Sequence, residues 1–306
     1  MEADLEKNLQ NFAIYSSKNF KLAPIGDILS GYNYKLLGHG QWSRVYKIKY
    51  QNWVIKEGKW DREVDLRLFK FQLPDSFAEP FKNFSINLTP EKKEVLRQFD
   101  EYLIFINYFG VFEENENSFF HPELKKIIKK QTAIREKLKY SIAKIEKKHK
   151  IKFNKKLEKV LNSKQKFHNF LPKEYLLYGK SITKENKGKP TSFIFQEYIK
   201  GEMLHDKSDD KLPKDKLYQL IILIYLILYM HYETGLIPDT RPRSAFEFYN
   251  WITKTDNIII SDQGLKFIDT RWFWSSNGNI FKKGFLVTDL VLTLAKNYLN
   301  YLLRFV

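Results

Sequence analysis

The longest apolar stretch of this 306-residue chain, residues 217–230, constrains the fold more than any other feature. It reads LYQLIILIYLILYM and carries no charge. A membrane-spanning helix needs about 20 apolar residues, whereas runs of about 10–14 are typical of buried core helices. We therefore expect a helix at the centre of the hydrophobic core, and no transmembrane segment.

The composition excludes several kinds of site. The chain has no Cys, which excludes disulfides, a thiolate nucleophile and a cysteine-ligated zinc site. Its first residues, Met1–Lys7, are charged and lack the apolar run of a secretory signal. Both features favour a cytoplasmic protein.

The positive charge is concentrated in one segment. The chain has a net charge of +16, and residues 125–166 hold 17 Lys or Arg against three Glu, which leaves a net +14 there. Two interpretations stay open. The segment is either a basic arm that contacts nucleic acid, an anionic membrane surface or an acidic partner, or a helical hairpin whose Lys-rich faces are only solvated.

The same segment is predicted to be helical. Its apolar residues recur at gaps of three, four and seven, the spacing of one stripe along a helix. They are Leu124, Ile127, Ile134, Leu138, Ile142 and Ile145. A second helical piece follows through Leu157, Val160 and Leu161.

The rest of the chain predicts an α+β fold. Alternating residues indicate three short strands within 34–54, and further strands are predicted at 175–180, 192–197, 258–260 and 265–268. Helices are predicted at 61–71 and 90–109, and a terminal helix from Val287.

Two motifs in the first half suit phosphate binding. Gly38-His39-Gly40-Gln41-Trp42-Ser43-Arg44-Val45 lies between two predicted strands, and glycines let a backbone approach phosphates closely. Lys56 ends the apolar run Val54-Ile55-Lys56, where its ammonium could reach a phosphate and an acid. A plain hairpin turn and an ordinary strand end explain these motifs equally well.

The second half adds acids in a suggestive order. Asp239 follows the apolar helix, and Asp256-Asn257 and Phe267-Ile268-Asp269 come later. Asp and Asn oxygens suit a hard cation such as Mg²⁺, and a further carboxylate can orient an acceptor hydroxyl. A short hairpin around Asp262-Gln263-Gly264 would bring Asn257 and Asp269 together.

Taken together, these motifs resemble the protein kinase-like superfamily. The resemblance implies a two-lobed fold that uses ATP and Mg²⁺. Residues 1–30 would be an N-terminal extension. Residues 31–199 would form a small mixed N-lobe with a basic helical insert at about 110–172, and residues 200–306 a reduced helical C-lobe.

The resemblance also implies a role for each matching residue. Those that would contact ATP are Gly38, Gly40, Ser43, Val45, Lys56, Glu197 and Ile199. Asn257 and Asp269 would hold the metal. The catalytic set would be Asp239, Arg241, Lys56 and a helix acid, Glu63 or alternatively Glu94.

Several departures from the family pattern bear on the substrate. Ile237-Pro238 replaces the His-Arg pair before the catalytic Asp, and Asn257 follows Asp239 by 18 residues where the family uses about five. Asp269-Thr270-Arg271 replaces Asp-Phe-Gly, and little chain separates Asp269 from Asp289, so a peptide-docking platform is not expected. The predicted acceptor is therefore a hydroxyl of a non-peptide molecule. An idle pseudokinase or scaffold, and a module that binds polyanions through residues 125–166, remain as alternatives.

Overall fold

The structure is a computed structural model that describes most of the chain. The described residues are 2–13, 22–39, 43–58, 102–111, 132–150, 152, 154–184, 187–206, 211–238, 240, 255–269, 273–275 and 283–306. Within these ranges the fold is α+β, as the sequence predicts. The helix predicted at 61–71 lies outside them.

A five-stranded antiparallel sheet forms most of the first half. Its strands are β1 (Tyr34–His39), β2 (Ser43–Ile48), β3 (Trp53–Gly58), β4 (Glu174–Lys180) and β5 (Pro190–Glu197), in the order β1-β2-β3-β5-β4. The central strand β3 is buried at all six positions, including Lys56 and Glu57. The strands predicted at 34–54, 175–180 and 192–197 are confirmed.

The N-terminal helix α1 (Glu2–Phe12) packs against the edge strand β4 of this sheet. Leu5 and Leu9 of α1 are fully buried, and the Tyr175 hydroxyl of β4 donates a 3.0 Å hydrogen bond to Glu6. A short helix, α2 (Ile25–Ile28), precedes β1.

The remaining described helices are divided equally between the two halves of the chain. They are α3 (102–109), α4 (132–137), α5 (Ile142–His149), α6 (Lys155–Leu161), α7 (Lys214–Thr234) and α8 (Lys283–Leu302). Short 3-10 turns occupy Lys139–Ser141, Lys164–Phe167 and Leu204–Asp206. The terminal helix thus begins slightly before the predicted Val287.

Helix α7 is the apolar run, and it forms the centre of the helical part. Every residue from Leu217 to His231 is buried. By length and composition this helix could cross a membrane, and 89% of its most apolar window is buried inside the protein. It ends at Gly235, whose φ of 73° is the left-handed conformation that glycine adopts without steric cost.

Helices α5 and α6 of the Lys-rich segment, called the basic helices below, pack against α7. The sequence assigns α7 to the C-lobe. The apolar residues of the basic helices are buried, with Ile145 and Leu157 fully covered. The Tyr225 hydroxyl of α7 donates to the Leu138 carbonyl at 2.9 Å. Lys148 donates to the carbonyls of His231 and Tyr232, at 3.2 and 2.8 Å, and so places a cation at the negative end of α7.

Two small sheets complete the second half. β6 (Gly201–Met203), β8 (Ile258–Ser261) and β9 (Gly264–Phe267) form one in the order β6-β8-β9. β7 (Leu236–Pro238) pairs with β10 (Phe273–Ser275) in the other. The β8–β9 hairpin confirms the strands predicted at 258–260 and 265–268.

Candidate active site

A single row of residues crosses the five-stranded sheet and contains three of the predicted ATP-binding positions. Gly38 of β1 lies opposite Val45 of β2, Val45 opposite Lys56 of β3, and Lys56 opposite Ile194 of β5. Directly opposed residues in an antiparallel sheet project to the same face. Ser43 belongs to this face too, since it is two residues before Val45 on β2.

Gly38 lies where the chain departs from regular pairing. The β1–β2 register shifts between Leu36 and Gly38, and no atom of the described residues lies within 4 Å of the place where a Cβ on Gly38 would be. The strand therefore has open space above it at this point. Gly40, the second glycine of the motif, lies outside the described residues.

Lys56 reaches from the sheet to the second half of the chain. Its Nζ donates a hydrogen bond to the main-chain carbonyl of Ile268, the residue that precedes Asp269. The side chain is nearly buried, with 9% of its surface exposed. This contact joins Lys56 to Ile268, which is 212 residues away in sequence. Asp269 is the next residue of the chain, so its main chain lies near Lys56.

The β8–β9 hairpin brings the two predicted metal ligands to one end. Ile258 pairs with Phe267, and the Ile268 amide donates to the Asn257 carbonyl at 2.8 Å. Ile268, which is hydrogen-bonded to the main chain of Asn257, is the residue directly before Asp269. The Asn257 amide is itself held by the Thr255 hydroxyl at 3.1 Å.

The donor chemistry at this end fits Mg²⁺. Asn257 offers an amide oxygen and Asp269 a carboxylate, the ligand types that a hard cation prefers when it keeps several waters. Within the described ranges, no group of three or more His, Cys, Asp or Glu side chains could hold a metal. The Asn–Asp pair is a different and sparser donor set, of the kind that relies on phosphate oxygens for the remaining ligands.

Sequence reasoning missed a polar network behind Lys56. The Gln196 amide nitrogen donates to the Ile268 carbonyl at 3.0 Å, the same oxygen that Lys56 binds, and also to a carboxylate oxygen of Glu174. Gln196 and Glu174 are 3% and 5% exposed, and they face each other across β4 and β5. An amide has two N–H groups, and both are used here.

This network fixes the main chain immediately before Asp269. The Ile268 carbonyl accepts from both Lys56 and Gln196, so two strands of the sheet hold it. In helix α3, burial, and then the Glu174 charge, raise the pKa of Tyr102 well above its usual value, so Tyr102 lies near this network. The only sequence signal for the network was a polar residue within the otherwise apolar run Phe193-Ile194-Phe195-Gln196.

The predicted adenine-contact residues lie at the end of β5. The Glu197 amide donates to the Lys173 carbonyl and the Tyr198 amide to the Asn52 carbonyl, both at 2.8 Å. The next amide along the chain is that of Ile199, to which the resemblance assigns adenine. Since Lys56 lies opposite Ile194, Glu197 is three residues, or about 10 Å, further along the strand.

A second contact joins this segment to the metal-binding end. His205 Nδ1 lies 2.8 Å from a carboxylate oxygen of Asp256, and its Nε2 lies 2.6 Å from Asp206. β6 pairs with β8, which places His205 beside the loop that holds Asn257. The imidazole therefore bridges the chain after β5 and the residue before Asn257.

The remaining predicted residues are not brought into this description. Glu63, Glu94, Asp239 and Arg241 all lie outside the described residues. β7 ends at Pro238, so Asp239 directly follows a strand whose partner is β10. The residues that the structure brings together are Gly38, Ser43, Val45 and Lys56 on the sheet, and Asn257 and Asp269 on the hairpin.

No protein-family model matches this chain, and a search of curated proteins found no match either. The functional argument therefore depends on the residues and their geometry.

Proposed function

We propose that this chain is a two-lobed, protein kinase-like phosphotransferase that moves the γ-phosphate of ATP, with Mg²⁺, to a hydroxyl of a non-peptide acceptor. The observation that carries the proposal is the contact between Lys56 and the Ile268 carbonyl. It joins the residue suited to bind phosphates to the main chain next to Asp269.

Phosphoryl transfer asks a protein mainly to position groups and to neutralise charge. Lys56 would bind phosphate oxygens from the sheet side, and Asn257 and Asp269 would hold Mg²⁺ from the hairpin side. Bound Mg²⁺ would offset the negative charge of the phosphates. The open space above Gly38 leaves room for phosphates to approach the main chain.

The short connection after β9 supports a non-peptide acceptor. Only residues 268–282 separate β9 from α8, and β10 occupies part of that interval. A long activation segment that could hold a peptide has no room there. Asp239 would orient or accept the proton of the acceptor hydroxyl, and Arg241 would offset charge on the transferred group.

Nucleotide binding is the first test of this proposal. Saturating Mg²⁺-ATP at about 100 times its Kd should stabilise the wild type by about 2.7 kcal/mol, a rise in Tm of about 4 °C. Lys56→Met and Asp269→Asn should lose this rise. Lys35→Met on β1 and Asp262→Asn in the β8–β9 turn are exposed, matched controls that should keep it. The proposal fails if the wild type shows no rise, or if the controls lose it equally.

Transfer is the second test. Radiolabelled γ-phosphate should pass to a sugar or lipid-linked hydroxyl in a panel of acceptors, and not to a peptide library. Asp239→Asn should slow this transfer at least ~100-fold, the usual contribution of a general base. If ATP binds but no acceptor is labelled, the scaffold alternative is favoured over transfer; if an acceptor is labelled and Asp239→Asn leaves the rate unchanged, the role of Asp239 is wrong.

A further inference from the structure

The basic helices present lysines on the side that faces away from α7. In α5, Ile145 and His149 are buried whereas Lys144 and Lys147 are exposed. In α6, Leu157 and Val160 are buried. We define the basic face as the exposed lysines of this region other than Lys148 and Lys156, whose ammonium groups bind main-chain carbonyls: Lys137, Lys139, Lys144, Lys147, Lys150, Lys152, Lys155, Lys159 and Lys164.

The charge of the basic face is not balanced within the described part of the protein. None of its lysines forms a salt bridge with another described residue. On α5, Lys144 and Lys147 are three residues apart. On α6, Lys155 and Lys159 are four residues apart. Like charges at such spacings destabilise a helix. The fold therefore carries a repulsive surface that its own packing does not need.

The scaffold under this surface is fixed. Lys148 and Lys156, the neighbouring lysines, bind main-chain carbonyls of α7 and of Leu303, the latter at 3.0 Å. Asn154 caps α6 by accepting from the Lys156 and Leu157 amides at 3.0 and 3.2 Å. Five lysines of the basic face lie on α4, α5 and α6, two lie in 3-10 turns, and Lys150 and Lys152 lie in the connection between α5 and α6.

We propose that the basic face binds the anionic surface of a phospholipid membrane. Lysines near such a surface each contribute to binding by simple charge attraction, without a specific groove. The chemistry fits this partner better than nucleic acid. The one arginine of the segment, Arg135, is fully buried and donates to the Lys166 carbonyl at 3.2 Å, so no guanidinium is presented to phosphates or base edges.

Aromatic side chains support the same choice. Tyr140 is 80% exposed and Phe167 is 37% exposed, both beside the lysines. Aromatic rings next to cationic residues are favoured at the membrane interface. Stacking of single-stranded bases would need a series of such rings along a groove. The association places the protein at a membrane and does not depend on the proposed phosphotransferase activity.

Vesicle sedimentation of the full chain tests the proposal. The protein should sediment with phosphatidylcholine vesicles that contain about 30% phosphatidylserine, and not with phosphatidylcholine alone. The variant Lys144→Glu/Lys147→Glu/Lys155→Glu/Lys159→Glu should bind at least ~100-fold more weakly, since each lysine near the surface contributes about fivefold. The control Lys35→Glu/Lys49→Glu/Lys180→Glu/Lys187→Glu makes the same change in net charge at exposed sites outside the basic face and should keep most binding.

A salt titration of the wild type keeps the test decisive if the charge-reversed variant does not fold. Binding to the anionic vesicles should weaken steeply between about 50 and 300 mM salt, because screening shortens the range of the attraction. The proposal is overturned if the wild type ignores anionic vesicles, if the control variant loses as much binding, or if duplex DNA or RNA binds more tightly than the vesicles.

Discussion

Replacing Gln196 with Met is the sharpest test of the network behind Lys56. Met keeps the length of the side chain and removes both N–H donors. One lost hydrogen bond goes to the Glu174 carboxylate and the other to the Ile268 carbonyl. Bonds to a charged group contribute about 1.5–3 kcal/mol and neutral ones about 0.5–1.5, so we expect a loss of about 2–4 kcal/mol.

Denaturant unfolding measures this loss, and a double-mutant cycle assigns it. Glu174→Met alone leaves one Gln196 N–H buried without an acceptor, which costs about 1–3 kcal/mol. With both residues replaced, the unpaired groups disappear together. The double variant should therefore lose less than the sum of the single losses, with a coupling of about 2 kcal/mol.

Gln263→Met, an exposed position in the β8–β9 turn, is the control and should change stability by less than about 0.5 kcal/mol. Strictly additive losses at Gln196 and Glu174 would refute the reasoning, because they would mean that the two side chains do not interact.

Three further predictions concern the scaffold. Burial lowers the pKa of His149 to about 4 and of His231 to about 3, against about 6.5 when unfolded, so both stay neutral in the fold. Stability should be full above pH 6.5 and fall as the pH drops toward 4, and His149→Gln/His231→Gln should flatten this fall; an unchanged profile in denaturant unfolding would contradict it. Asn154→Ala should cost about 1 kcal/mol by removing the cap of α6, and a helix signal and Tm equal to wild type would count against that role. Gly201→Ala would place a methyl group against the Ile260 carbonyl across β6–β8 and should cost about 1–3 kcal/mol of stability. An unchanged free energy of unfolding would contradict this close approach of the two strands.

Much of the fold follows from local patterns in the sequence. The alternation in 34–54 predicted β1 to β3, and the uncharged run 217–230 predicted the buried helix α7. The turn residues Asp262-Gln263-Gly264 predicted the β8–β9 hairpin. In the structure Gly264 adopts a φ of 111°, which other residues rarely reach. Each of these patterns involves residues that are close in sequence, so a single segment of the chain is enough to predict the element.

The contacts that Gln196 makes in the candidate site are long in range and were not predictable. Gln196 meets Glu174 only because of the β4–β5 register, and it meets Ile268 from 72 residues away. The sequence left two interpretations of residues 125–166 open, a basic arm or a helical hairpin whose Lys-rich faces are only solvated. Lys148 instead binds the end of α7 across 83 residues, which no local periodicity reveals.

The central claim is that Lys56, Asn257 and Asp269 form one nucleotide and metal site. A crystal structure with Mn²⁺ and a non-hydrolysable ATP analogue tests it most directly, because the anomalous signal of Mn²⁺ locates the metal. We predict one Mn²⁺ at about 2.1–2.2 Å from oxygens of Asn257 and Asp269, with the phosphates beside the Lys56 ammonium. A nucleotide bound elsewhere, or a metal that contacts neither residue, would contradict the account.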